Sequence, residues 1–371
     1  CTFLFKSNER CRIKKTHAVI YKSQMGDEIM HEIIKSGDLL DQMGNLTEPG
    51  FSRKLLSHYD RKMVKGGWMR LKEWDYYLIS NGHFAVALTI ADNSYMGLDS
   101  ISFLWLDEAK EKTVSKMQFF TRGKKNLPPT SATGDVKSKG KGYEISFIQK
   151  DGKRILDFYM NDFMENSSIR GKLTLSNEPE ESMVIATPFS KKGHFYFNQK
   201  INCMSASGSV WVDGEQYNFE PVDSFGVLDW GRGVWTYNNT WYWGSGSGLV
   251  DGESFGFNIG YGFGDTKAAS ENVLFYKGKV HKLSQVTFHI PKDENGAEEY
   301  EKPWKFTSDD DRFEMDFVPM LDRKTQLNQG ILESEQHQVF GKFTGVAVLD
   351  DGQKINLTDF FGFAEKVKNK W

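Results

Sequence analysis

In FEMDFVP the apolar residues Phe313, Met315 and Phe317 alternate with Glu314 and Asp316, and a period of two is the mark of a strand with one buried face. Three runs rich in β-branched and aromatic residues, WDYYLIS (74–80), HFAVALTIAD (83–92) and ISFLWLDE (101–108), read the same way. Asn81-Gly82 separates the first two and is a strong hairpin signal, because both residues accept positive φ. Three more hairpins are predicted about Asp151-Gly152, Asp213-Gly214 and Asp351-Gly352. Helical spacing is confined to Ile29, Ile33 and Ile34, ahead of Gly37. Residues 122–142 and 292–302 are polar and read as surface loops.

Composition adds to this picture. Aromatic residues make up 14% of the chain, with 35 Gly against 9 Pro, which suits many short strands joined by glycine turns. A chain of 371 residues exceeds what one core usually organises. The expectation is therefore all-β: two lipocalin-like antiparallel β-barrels or sheets in tandem, behind a short helical N-terminal segment. The expected divisions are an extension over 1–24, a helical or loop lead-in over 25–65, a first barrel over 66–200 and a second over 201–371.

Charge and cysteine use exclude several classes. A net charge of −3 and a pI near 6.3 leave no footprint for nucleic acid. Basic residues concentrate only in residues 1–24, where six Lys or Arg meet one Glu; that stretch lacks the apolar run of a secretory signal and reads as a disordered extension or a translation-start artefact. The notable charge-free run, 233–250, is too rich in Gly, Ser, Asn and Thr to span a membrane. Three cysteines offer no disulfide framework, which agrees with a cytoplasmic location.

Candidate chemistry gathers in FGVLDWGRGVWTYNNTWYWGSGSG (225–248), which holds four of the ten tryptophans. On a strand Trp241 and Trp243 share a face with Ser245 and Ser247, while Tyr242 points away. Together with Trp230, Trp235 and Tyr237 these rings either fill a barrel or wall a pocket, with Gly244, Gly246 and Gly248 supplying either room for a ligand or freedom for the strand to coil. Asp229 and Arg232 stand three apart. Closed as a pair they form a clamp or an anchor for an anionic group; with Arg232 turned elsewhere, an apolar pocket would raise the Asp229 pKa and make it a general acid. Glu271, beside Asn272, is a second candidate acid, and Glu365 a third carboxylate in apolar company, with ion pairing to Lys366 or Arg232 as its structural alternative. Asn258 completes the expected lining.

Metal and cofactor motifs are missing from the sequence: there is no HExxH, paired CxxC, GxSxG or Walker loop, GYGFGD lacks a strand-to-helix setting, and His281, His289 and His337 lack metal-ligand spacing. No metal and no cofactor is expected.

KEWDYYLIS, FGVLDWGRGVWTYNNTWYWGSGSG, GFNIGYGFGDTKAASENVLFYKGKVHKL, VFGKFTGVAVLDDG and DFFGFAEKV, in that order, resemble the bacterial domain of unknown function 2804 family over roughly Asp38 to Trp371. That family implies no settled activity. More distantly the chain resembles calycin-like two-barrel proteins, which include carotenoid 1,2-hydratases and fungal intramolecular Diels–Alderases and hold an apolar substrate between or within their barrels. What the resemblance implies is a hydrophobic or amphipathic small-molecule partner. Three functions follow as expectations: proton-transfer catalysis of hydratase, isomerase or cyclase type through Asp229, Arg232 and Glu271; non-catalytic carriage of a lipid or similar molecule; and, third, action on or binding of glycans.

Overall fold

The computed structural model describes residues 30–329 and 332–370. Among the described residues the protein is all-β, with two antiparallel sheets that each curl around their own apolar core. The first sheet has thirteen strands. Its main path runs from the edge strand Lys110–Phe119 through Met96–Trp105, Phe84–Asp92, Leu71–Ser80, Phe225–Val234, Phe195–Val212, Ser167–Ser176, Lys153–Met164 and Tyr143–Lys150 to Val136–Gly140. The second has nine, with Asn238–Val250 paired to Glu253–Tyr261 on one side and to Lys354–Lys370 on the other.

The chain passes from one sheet to the other between Val234 and Asn238. The boundary expected at residue 200 falls inside Phe195–Val212, a strand paired over its length within the first sheet. The Asp-Gly turns fall where the period of two placed them; Asp151, Gly152, Asp213 and Gly214 all have positive φ.

The lead-in departs from its helical expectation. From residue 30 to 65 the chain is extended or turning, with one 3₁₀ turn at Arg61–Met63 and a parallel bridge from Glu32 to Phe51. Ile33 is buried while its neighbour Ile34 is 56% exposed, and the Ile33 and Phe51 amides donate across to Phe51 and His31. The apolar spacing served an extended segment laid on the sheet, not a helix face. Residues 1–24, and Ile29 with them, lie outside the described residues.

Period two gives each central strand two buried faces. Leu228, Trp230 and Val234 enter the first core with Tyr77, Ile79, Phe195 and Phe197. The opposite face carries Trp74, Tyr76, Leu78, Tyr196, Val227 and Asp229, and meets Trp241, Trp243 and Phe363 of the second sheet. The two sheets therefore close on a seam, and the seam holds the polar groups of interest.

Candidate functional site in the seam between the sheets

Glycines shape the first-sheet wall. A Cβ on Gly231 would overlap the Trp74 indole, and one on Gly233 would meet the Phe195 carbonyl and the edge of Trp235. The Gly-x-Gly of LDWGRGVW thus lets two indoles lie on the strand itself. Trp74 and Trp235 meet edge to face at 5.3 Å, Trp235 and Trp241 at 5.7 Å, and Phe263 packs on Trp235, Trp241 and Tyr196. Such perpendicular rings fill space while keeping each quadrupole in a favourable orientation.

Charged groups line the floor. Asp229 receives hydrogen bonds from Asn198 Nδ2 at 2.5 Å and Trp74 Nε1 at 3.2 Å, and pairs with Lys200 Nζ at 2.8 Å. Lys200 Nζ lies 3.9 Å from the centre of the Trp243 ring, a close cation–π contact. Trp241 Nε1 donates to Glu365 at 3.0 Å and Gln336 Nε2 reaches its other oxygen at 3.4 Å. Glu271 receives Asn258 Nδ2 at 3.3 Å, and Asn258 in turn accepts from Trp243 Nε1 at 2.7 Å. Burial pushes the Glu365 carboxyl up to about 7, with the Trp241 bond and Lys200 opposing and Asp229 adding to the rise. Burial likewise raises Glu271, against Lys200 and Asn258 and with Asp229. Three carboxyls therefore share the field of one ammonium.

The loop carrying Glu271 is anchored from behind. Asn272 accepts from the Gly260 amide at 2.6 Å and donates to the Ser284 carbonyl at 2.8 Å. Lys282 Nζ, fully buried, donates to Ser270 Oγ and to the Asn272 and Leu283 carbonyls at 2.7–2.9 Å. Gly260 leaves room for the Glu271 carboxylate, which a Cβ there would approach to 2.7 Å.

Of the residues singled out from sequence, Asp229, Glu271, Asn258, Trp235, Trp241, Trp243 and Glu365 stand in the seam, and Asn272 supports it. Arg232 and Trp230 do not. Residues three apart on a strand face opposite sides, so Asp229 and Arg232 never meet: Arg232 turns into the first core, pairs with Asp75 at 3.1 Å and lies over Trp230 at 4.2 Å. Tyr237 is at the rim, 43% exposed, beneath the Arg70 guanidinium. Glu365 pairs with neither Lys366 nor Arg232; Lys366 faces the second core and meets Glu298. Gly246 and Gly248 leave no room on the inner side of the second sheet, because Phe360 packs on both and Phe257 joins it on Gly246.

Lys200, Asn198, Trp74 and Tyr196 escaped the reading of the sequence. Their signal was present as alternation in FYFNQKIN, where Tyr196, Asn198 and Lys200 interleave with Phe195, Phe197 and Ile201. The enclosed space in the seam is small. A gap of about 10 Å³ beside Tyr196, Phe263 and Glu271 and another of about 20 Å³ by Leu78, Val227 and Phe363 each hold about one water. Buried polar atoms on the first-sheet side without a hydrogen-bond partner among the described residues include Asn198 Oδ1 and Trp235 Nε1, with Tyr76 Oη and Asn202 Oδ1 beside them. Among those residues no three His, Cys, Asp or Glu side chains gather as a metal site, and no helix is long and apolar enough to cross a membrane.

The model of the domain of unknown function DUF2804 matches residues 30–371, and the chain belongs to that family. No curated protein matches the sequence. Among solved structures, a protein described as an AttH from Nitrosomonas europaea is similar at 12% identity and a TM-score of 0.50, over 80% of this chain and 92% of that one. Kievitone hydratase from Nectria haematococca aligns at 11% identity and a TM-score of 0.46, over 81% and 88%. CghA with Sch210972 aligns at 11% and 0.45, over 91% and 97%. At these identities the likeness to the AttH structure bears on the fold alone.

Proposed function

We propose that this member of the DUF2804 family binds a hydrophobic or amphipathic small molecule in the seam between its sheets and moves a proton on it, in a hydratase, isomerase or cyclase type of reaction. One observation carries the reading: three carboxyls, the buried Asp229 and Glu365 and the half-buried Glu271, stand around the ammonium of Lys200 beneath a lining of indoles. An acid whose pKa lies near working pH serves both to give and to take a proton, and Glu365 meets that condition. Asp229, bound to Lys200, Asn198 and Trp74, fixes the charge opposite. The indole faces suit a flat apolar skeleton and steady positive charge developing on it. Asn198 Oδ1 and Trp235 Nε1 are then the groups that an oxygen function on the ligand engages.

Because each enclosed gap holds only a water, ligand entry requires the aromatic lining to part. The test is to purify the full chain, denature it and identify by mass spectrometry what it released, then to incubate that compound with fresh protein. Conversion by the parent, lost by about 10²-fold or more in Glu365→Gln and Asp229→Asn while both variants keep the parent's circular dichroism spectrum, is the expected result. Recovery of the compound unchanged after long incubation would instead make the protein a carrier.

A further inference from the structure

The edge strand Lys110–Phe119 pairs with Met96–Trp105 alone. Its early outward positions follow the usual protection of an edge, with exposed Lys110 and Lys112. The protection then stops. Met117 is 61% exposed, Phe119 74% and Phe120 57%, and Trp68 and Met69 beside them are 45% and 55% exposed. Phe119 and Phe120 both face outward because Phe120 has φ +55, which breaks the alternation of the strand; its amide donates to the Tyr95 carbonyl at 2.7 Å and holds it there. The Arg122 guanidinium lies between two of these rings, 4.4 Å from Trp68 and 5.6 Å from Phe120.

Isolated exposed apolar residues need no explanation, but a contiguous group this large does. Its setting is one-signed. Residues 118–127 contain Arg122, Lys124 and Lys125 and no acidic residue, and residues 60–71 contain four basic residues against Asp60. Lys125 and Arg61 are committed inward, to Asp99 and Glu73, whereas Lys62, Lys65, Arg122 and Lys124 are exposed.

We infer that this end of the first sheet is a docking surface for anionic lipid membrane, with Trp68, Met69, Met117, Phe119 and Phe120 entering the interfacial layer and Arg122, Lys62, Lys65 and Lys124 meeting lipid phosphates. Aromatic and methionine side chains ringed by Lys and Arg match the two layers of a membrane surface, apolar below and negatively charged above. A protein partner buried on such a surface would need acidic groups around an apolar centre, and a second copy of the same surface would set like charges against one another. The location fits a ligand drawn from the bilayer: the Trp68–Arg70 turn runs directly into Leu71–Ser80, and the Trp235 amide donates to the Arg70 carbonyl at 3.2 Å, at the end of the aromatic lining. Docking itself stands whether or not the seam is catalytic.

The experiment is co-sedimentation of the full chain with vesicles of phosphatidylcholine alone and of phosphatidylcholine with phosphatidylglycerol. Binding to the anionic vesicles only, weakened by salt, is expected. Phe119→Ser/Phe120→Ser should weaken it by about tenfold without changing the circular dichroism or melting profile, since both side chains are exposed. Phe119→Trp should retain binding and shift its emission to the blue on anionic vesicles. Equal binding to both vesicle types, none to either, or an unaffected double variant would overturn the proposal. So would a change of oligomeric state in the double variant without any lipid binding, which would assign the surface to a second copy.

Discussion

Two ion pairs lie on opposite faces of the same strand, Phe225–Val234. Arg232, inside the first core, gives its hydrogen bonds to Asp75 and to the Trp74, Gly231 and Pro128 carbonyls, and the neighbouring Glu73 has its own cation in Arg61. Asp229, in the seam, pairs with Lys200, whereas Glu271 and Glu365 feel that ammonium, with Lys282 and Arg323 respectively, without a cation in direct contact. Both places are buried and both set a cation over a tryptophan ring. They differ in contact. A one-to-one pair closes on itself and acts as a clamp, whereas a carboxyl held away from water with no cation touching it is relieved by holding a proton or by receiving a group from outside.

The largest effect is expected where the clamp is broken. Arg232→Met should cost about 3–5 kcal/mol of unfolding free energy in urea, because Asp75 is left buried without its cation. A cost within about 1 kcal/mol would remove the contrast between the faces.

Glu365 sharpens the other side of the comparison. Its folded pKa, about 7, stands above the ordinary 4.5, so the folded protein binds the proton more tightly than the unfolded chain does. Its contribution is then fully present below pH 4.5 and lost as pH rises through 7. Glu365→Gln, which stays neutral, should gain on the parent by up to about 3 kcal/mol between pH 4.5 and 8, read from denaturation midpoints across that range. A difference that does not change with pH would mean the carboxyl titrates normally.

Lys200→Met should raise the Glu365 titration further, since it removes the larger of the two opposing charges, Lys200 and Arg323, and carboxyl infrared bands followed against pH report it directly. The smallest effect belongs to Trp241→Phe. It keeps the ring but deletes the hydrogen bond to Glu365, with an expected cost of about 1 kcal/mol at pH 8 and less at pH 5, where the carboxyl is protonated.

How much of this was legible depended on how local each cause was. The turns at Asp151-Gly152 and Asp213-Gly214 were readable because positive φ is a demand on two adjacent residues. The common face of Trp241 and Trp243 was readable because period two is carried by the strand itself. The all-β class followed from many such local signals agreeing. The partner of Arg232 was not readable: Asp75 lies 157 positions earlier, and the two meet only because Leu71–Ser80 pairs antiparallel with Phe225–Val234. Lys200 was hidden for the same reason, its meaning depending on which face of its strand would later be covered by the second sheet. At Ile33 and Ile34, the described part of the expected helix, the error runs the other way, since closely spaced apolar positions suit an extended segment with one inward side chain as well as a helical stripe.

The indoles of the seam also give the protein an optical signature. Trp74, Trp235 and Trp241 stand in series at 5.3 and 5.7 Å, with ring planes 78° and 70° apart. At such spacing their electronic transitions couple, and chiral coupling of this kind produces paired bands of opposite sign in circular dichroism. Trp74 belongs to the first wall and Trp241 to the second, with Trp235 in the connection between them and its amide bonded to the Arg70 carbonyl, so this series of rings bridges the two walls. If a ligand parts the walls as proposed, these coupled rings report it without a label, their paired bands collapsing in step with its arrival.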